Sequence, residues 1–316
     1  MKIIEKTTTF QTELPTAVGI GKFDGAHLGH RKLFDALTAY REKMRGRGQE
    51  LLTAVFTFDP SPEAFFSGGR AKQLLTREEK RKVLEACGID LLVEYPFNAK
   101  TASVPPEAFI SEYLVRMLKA RFIAAGADLS FGDKGKGSFE LLAGRAKQYG
   151  YEAAVIDKVE YEGRDISSTW IRELIERGEM EAAAERLGRN YLISGEIVHG
   201  RHLGSSLGFP TINILPPPEK CLPPFGVYYS RVTIEGAGYC GITNIGVRPT
   251  VDGGASQVSV ETYLYDCSGD LYGKTADVEI LSFRRAEQNW KDTAMLRSVV
   301  QADLQAGRDY FAGTKI

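Results

Sequence analysis

The chain has 316 residues, 43% of them hydrophobic and 26% charged, with a net charge of −1, which is material for two ordinary globular cores without disulfide staples. Near-neutrality argues against a general binder of nucleic acid or acidic membrane, and no apolar run approaches the ~20 residues of a membrane span. The N-terminus MKIIEKTTTFQTELP also lacks the apolar core of a secretory signal. The four cysteines, Cys87, Cys221, Cys240 and Cys267, are scattered and none lies beside a histidine. This predicts inert small hydrophobes in a reducing, cytoplasmic compartment and no structural zinc site.

In chain order, apolar runs bounded by breakers at Ala17–Gly21, Leu51–Phe58, Ile89–Tyr95, Phe122–Ala125 and Ala153–Ile156 read as strands. Helical stripes alternate with them. Leu33, Phe34, Leu37 and Tyr40 share one helix face, and so do Phe109, Tyr113, Leu114 and Met117, with Pro105-Pro106 marking that helix's start. Continuous apolar strands alternating with helices predict a parallel sheet covered on both faces, a doubly wound, Rossmann-like α/β domain over residues 1–186. Ile171–Leu187 reads as closing helices that stop at Gly188. From Tyr191 the pattern changes to short strands at Leu192–His199, Val227–Ile234, Tyr239–Asn244, Val258–Tyr265 and Ala276–Phe283, separated by Gly, Pro, Asp and Ser turns. Residues 187–316 are therefore expected to form a small antiparallel β-barrel, with the stripe Leu296, Val299, Val300 and Leu304 as a terminal helix packed on it. Trp170 and Trp290 read as packing residues. Lys80-Arg81-Lys82 reads as a solvated helix face, and Lys43, Arg45 and Arg47 as complements to the end of the first helix.

Only four histidines occur, in two tight pairs, His27/His30 and His199/His202, each in a glycine-rich stretch. The first pair lies in Gly21-Lys-Phe-Asp-Gly-Ala-His-Leu-Gly-His-Arg31, directly after the first predicted strand. In a doubly wound fold this is where phosphates meet the N–H groups of a helix N-terminus. Two imidazoles there could donate hydrogen bonds as charge builds on a departing pyrophosphate, and Gly25 and Gly29 would let backbone approach the ligand. The alternative is a plain strand–helix turn with two surface histidines. A second element, Ile166-Ser-Ser-Thr-Trp-Ile-Arg172, offers hydroxyls before a helix and an arginine one turn later, a phosphate clamp or a simple cap.

Together these motifs resemble the nucleotidylyltransferases, and more closely the prokaryotic bifunctional riboflavin kinase/FMN adenylyltransferases (FAD synthetases). The adenylyltransferase pattern is met at Phe23–His30, at Thr57-Phe-Asp-Pro-Ser-Pro62, at Gly126-Ala-Asp-Leu-Ser-Phe-Gly132 and at Ile166–Arg172. The resemblance implies ATP contacts from Gly21, Phe23, Asp24, Gly25, His27, Gly29, His30, Ser168, Thr169 and Arg172, with His27 and His30 as the catalytic pair. It implies flavin contacts from Phe58, Asp59, Pro60 and Asp128. Ser61 stands where the family has histidine, Leu129 and Ser130 where it has Phe and Arg, and Lys136 where arginine is common. These departures keep open a protein that is a riboflavin kinase only.

The second glycine-rich stretch runs from Gly195 to Asn213 and ends Gly208-Phe-Pro-Thr-Ile-Asn213. Such backbone can cradle phosphates, and the Thr211 hydroxyl and Asn213 carbonyl are hard oxygens suited to Mg²⁺. Alone, this could be a β-hairpin with a flap. In order with Gly226-Val-Tyr228, Asn244-Ile-Gly-Val-Arg-Pro-Thr250, Val260-Glu-Thr-Tyr-Leu-Tyr-Asp266 and Leu271-Tyr-Gly-Lys274, it resembles the riboflavin kinase module of the same family. That implies ATP contacts from Gly200, Gly204, Gly208, Pro210, Thr211 and Asn213, Mg²⁺ on Thr211 and Asn213, and Glu261 as general base. Ser205 replaces the usual arginine, with Arg201 as a substitute. Alternation along Val258–Tyr265 puts Glu261 on the face opposite Val258, Val260 and Leu264. The expected substrates and products are riboflavin, FMN, ATP and FAD, with neither nucleic acid nor membrane as partner, in a monomer or weak homo-oligomer. A flavin-binding regulator without turnover is the reading from another class.

Overall fold

The computed structural model describes residues 1–69, 71–199, 209–248, 257–288 and 292–313. The chain divides into two compact units, one of residues 1–73 and 80–168, the other of residues 74–79 and 169–316.

The first unit is built on six parallel strands: β1 (Lys2–Glu5), β2 (Thr16–Ile20), β3 (Leu52–Asp59), β4 (Leu91–Pro96), β5 (Ala120–Gly126) and β6 (Glu152–Ile156), in the order β1-β4-β3-β2-β5-β6. All five predicted strands are present. β2 is buried from end to end, as expected of a central parallel strand covered on both faces. β1 was not foreseen, because it is a four-residue edge strand with two exposed residues and no apolar run. Helix α1 (Leu28–Arg45) buries Leu33, Phe34, Leu37 and Tyr40, the four predicted positions. Lys43 and Arg45 occupy its last turn.

Two expectations need correction. The Phe109–Met117 helix is a π-helix, with the Leu118 amide donating to the Tyr113 carbonyl at 3.0 Å. The wider turn brings Ile110 into the core and leaves Tyr113 half-buried. Nor is the basic run of helix α2 (Arg77–Ala86) simply solvated. The Arg81 guanidinium is half-buried, bonding Glu94 on β4 and Glu5 on β1, so it fastens the edge strand to its neighbour. The hydrogen bonds it donates to Glu94 and Glu5 outweigh burial and raise its already high pKa. Farther along, α3 (Phe139–Tyr149) ends on Gly150 in the left-handed region.

In the second unit, α4 (Ser168–Arg177) and α5 (Met180–Leu187) precede the β region, and α5 closes on Gly188 at φ 68. Trp170 is buried under the Arg186 guanidinium, 4.8 Å from its ring, and is a packing residue as expected. Trp290 lies outside the described residues. Six antiparallel strands follow: β7 (Tyr191–Glu196), β8 (Thr211–Ile214), β9 (Gly226–Ile234), β10 (Ala237–Arg248), β11 (Gln257–Leu264) and β12 (Thr275–Ala286). Their order is β7-β12-β9-β10-β11-β8. The outermost strands meet where the Val198 amide, just past β7, donates to the Asn213 carbonyl of β8 at 2.9 Å. This bridge turns the sheet into a small barrel.

Alternation sorts the barrel's side chains. Val232, Ile245, Val260, Val278 and Ile280 fill the interior, together with a hydroxyl ladder. Thr243 Oγ1 donates to Ser230 Oγ at 2.7 Å and lies 2.8 Å from Thr262 Oγ1, all three residues being fully buried. On the outer face Val227 and Ile242 pack against Leu304 of α6 (Thr293–Gly313), with Tyr229, Tyr263, Tyr265 and Val300 around them. Within the same unit, the ammonium of buried Lys220 donates to Glu79 Oε2 at 2.5 Å and to the carbonyls of Leu74 and Leu192. Glu79 also accepts from the amides of Thr76 and Ser194. Every oxygen and proton of this buried pair therefore has a partner, which is the condition for burying it.

Candidate active sites

All strands of the first sheet run the same way, so every loop after a strand emerges on one edge. β2 lies between β3 and β5, and the chain crosses from β4 back to β5. The crevice at this switch point is flanked by Gly21–His30 after β2 and by Gly126–Asp128 after β5. Asp59-Pro60 ends β3 on the same edge.

The segment after β2 is held in an unusual path. Phe23, Gly25 and Ala26 have φ of 52°, 83° and 41°, and strain at two non-glycine residues persists only where surroundings fix it. The Phe23 ring is buried against Phe34 and covers Gly21, where a Cβ would fall 2.9 Å from its Cζ. The chain then enters α1 with His27 as N-cap in extended conformation. His27 and His30 stack with ring centroids 3.7 Å apart, and Phe23 meets His30 edge-on at 5.3 Å. Gly29 makes room for this: a Cβ there would press on the His27 ring at 3.2 Å. The first turn of α1 carries no acidic residue, leaving its amides attractive to an anion. Ser168 Oγ donates to the Asp24 carbonyl at 2.7 Å, joining the two motifs that are far apart in sequence. Thr169 and Arg172 follow on α4 and group with the second unit.

Phe58 is half-buried and already surrounded by the rings of Phe56, Phe97, Tyr95 and Phe109. It is the wall of an aromatic cluster. The exposed members of that cluster are Phe65 and Phe66, the latter 74% exposed, both packed on Phe97. Sequence reading passed over this pair, although two adjacent phenylalanines after Pro60-Ser-Pro62 were the signal. Ser61, one of the departures, caps the short helix Pro62–Phe66 by accepting from the Ala64 amide at 3.2 Å. Leu129 packs into the core. Asp128 is exposed, 3.9 Å from the Lys158 ammonium, which also pairs with Asp165 at 3.1 Å.

In the barrel the register does the positioning. Asn213 on β8 lies opposite Glu261 on β11, and Glu261 lies opposite Asn244 on β10. Residues directly opposed in antiparallel strands project to the same face with Cβ atoms ~5 Å apart. Thr211 lies opposite Tyr263 and shares that outer face. Glu261 accepts a hydrogen bond from Ser259 at 3.3 Å, which places both on one side, while Val260 and Thr262 are buried on the other. Asn213 is buried and its Oδ1 has no hydrogen-bond partner among the described residues. His199 stacks on Tyr272 at 3.7 Å. Gly200, Arg201, His202, Gly204, Ser205 and Gly208 lie outside the described residues, whereas Pro210 directly precedes β8. None of the four cysteines is in a disulfide. Among the described residues, no helix is long and apolar enough to cross a membrane.

Two families of known proteins match successive parts of the chain. A family described as FAD synthetase matches residues 9–170, and one described as riboflavin kinase matches residues 187–311. The bifunctional riboflavin kinase/FMN adenylyltransferase of Escherichia coli K12 is 35% identical, over 94% of this chain and 93% of that protein. Its Listeria monocytogenes counterpart is 33% identical over 97% and 96%, and that of Bacillus subtilis 30% over 96% and 95%. A crystal structure described as a macrolide-efflux protein from Streptococcus pneumoniae superposes with a TM-score of 0.80 at 28% identity, covering 97% of this chain and 98% of that one. Two family matches in this order, with relatives alike from end to end, leave one conclusion: the chain belongs to the bifunctional riboflavin kinase/FMN adenylyltransferase family.

Proposed function

We propose that the chain phosphorylates riboflavin to FMN in its barrel and adenylylates FMN to FAD in its α/β portion, with residues 1–186 and 187–316 as the functional modules. In the barrel, Glu261 accepts the proton of the ribityl 5′-hydroxyl as that oxygen attacks the γ-phosphorus of ATP and ADP departs. Thr211 and Asn213 would hold Mg²⁺. The buried, unpartnered Oδ1 of Asn213 supports this, and so does a neutral oxygen pair that leaves room for substrate phosphates. When bound, the ion would neutralise phosphate charge.

In the α/β portion, an FMN phosphate oxygen attacks the α-phosphorus of ATP, the α–β bridging bond breaks and pyrophosphate leaves. His27, His30 and the first-turn amides of α1 receive the growing negative charge. Phe23, Asp24, Gly25 and Gly29 shape this cradle, and Ser168, Thr169 and Arg172 grip the triphosphate. Asp59, Pro60 and Asp128 place the FMN beside Phe58, and the exposed Phe66 offers a face for its ring. Four cysteines outside any disulfide and ATP as co-substrate support action in the cytoplasm. The chain's partners in this reading are the small-molecule substrates, with no nucleic acid, and the protein is taken as a monomer or weak homo-oligomer.

The observation that carries the reading is the pairing of Glu261 with Asn213 in a barrel that follows, along the chain, a stacked histidine pair at a helix N-terminus. Chromatography of the products of riboflavin, ATP and Mg²⁺ tests it. FMN and FAD should both form. FMN without FAD at any enzyme level would leave a kinase only, and neither product would leave a flavin-binding regulator.

A further inference from the structure

Glu261 has a polar neighbour on each side. Along the row, Asn213 stands on one side and Asn244 on the other. The first belongs to the phosphate end. Asn244 is half-buried on the same outer face, while its chain neighbours Thr243 and Ile245 are fully buried inside the barrel. Two residues farther, Gly246 lets the Glu287 carboxylate lie directly against the sheet, where any Cβ would overlap it. Gly246 in turn lies opposite Ser259, the residue that donates to Glu261. A lane of polar groups therefore runs from Glu261 away from Asn213, over Asn244 toward Glu287.

The attacking hydroxyl is the end of a polyol chain. If its terminal oxygen is at Glu261 and the phosphates are at Asn213, the remaining hydroxyls must leave on the opposite side, where Asn244 stands. We infer that Asn244 is the positioning residue for the polyol hydroxyls of riboflavin, its amide offering both a donor and an acceptor to them. The register that puts it there is locked from inside the barrel. The hydroxyl ladder Ser230–Thr243–Thr262 joins β9, β10 and β11 at the chain neighbours of Asn244 and Glu261, and a one-residue slip would turn both side chains inward. The inference rests on the kinase reading of the barrel.

The test uses the full-length chain and a panel of substrates: riboflavin and its 2′-, 3′- and 4′-deoxy analogues. Wild type should prefer riboflavin over at least one analogue. In Asn244→Ala, kcat/KM for riboflavin should fall about tenfold, the scale of one lost hydrogen bond. KM for ATP should stay within twofold, and the preference over that analogue should shrink toward unity. Asn244→Gln serves the same test if the alanine variant does not fold. A loosened barrel would slow all four substrates equally, so unchanged preferences in a folded variant overturn the inference, as does a wild type indifferent to all three hydroxyls. Glu261→Gln is run in parallel. If it still makes FMN at the wild-type rate, the kinase reading itself fails, whereas a dead Glu261→Gln beside unchanged Asn244 preferences rejects Asn244 alone.

Discussion

The two candidate sites assemble polar groups in opposite ways. The α/β unit works lengthwise: parallel strands deliver loops from distant parts of the chain to one edge, and a helix N-terminus supplies the electrostatics. The barrel works crosswise: three antiparallel strands set Asn213, Glu261 and Asn244 side by side, and register supplies the precision. A loop-built site depends on the path of its backbone, so its special residues are glycines and strained positions such as Phe23 and Ala26. A register-built site depends on what locks the strands, so its special residues are the buried hydroxyls behind it.

Substitutions should separate the two regions. The largest effect is expected for Glu261→Gln, which should lower FMN formation from riboflavin by about 10³-fold, within the range of a lost general base. FAD formation from supplied FMN should stay within twofold, and parallel loss of both activities would contradict independent sites. Next, Lys220→Met leaves Glu79 buried without its ammonium partner and should cost about 3–5 kcal/mol in the unfolding of the second unit, measured by denaturant titration followed through barrel tyrosine signals. His30→Ala should reverse the kinetic pattern of Glu261→Gln, with FAD formation about 10²-fold slower and FMN formation unchanged.

Smaller effects sharpen the contrast. Thr243→Val removes two buried hydroxyl bonds and should destabilise by about 1–2 kcal/mol. It should lower kcat for FMN formation more than it raises either KM, because it disturbs the row without touching substrate; rescue by Thr243→Ser would separate the hydroxyl from the methyl. The last prediction concerns pH in the first unit. Burial pushes the Asp90 carboxyl up, but the Thr53 amide and hydroxyl and the Arg41 guanidinium outweigh it and hold the group below its ordinary value. A depressed carboxylate contributes stability above its ordinary range that is lost as pH falls through the folded value. Asp90→Asn should therefore flatten the acid limb of the first unit's stability curve, and an unchanged limb would show that other carboxylates govern it.

Much of this was legible in the chain. Continuous apolar runs marked the five central strands because a strand buried on both faces can carry nothing else. The helix stripe at Leu33, Phe34, Leu37 and Tyr40 marked a face, and the paired histidines among glycines marked the turn into α1 where the rings stack. The short edge strand β1 was missed because four residues, half of them exposed, have no pattern to read. Strand β8 was missed because Thr211–Ile214 reads as the tail of a glycine-rich motif. The π-helix was missed because its first apolar residues also suit an α-helical stripe.

The sequence by itself determined the two fold classes, their order, and the residue types proposed to carry the chemistry, since periodicity and local motifs depend only on near neighbours along the chain. Only the tertiary structure decided which of those residues meet. The stacking of His27 on His30 depends on a strained turn, the bond from Ser168 to Asp24 on the return of a distant segment, and the row Asn213–Glu261–Asn244 on strand register. The last two are contacts between groups whose separation in sequence carries no information about their separation in space, whereas the three-residue spacing of His27 and His30 already puts them on one face of a helix turn.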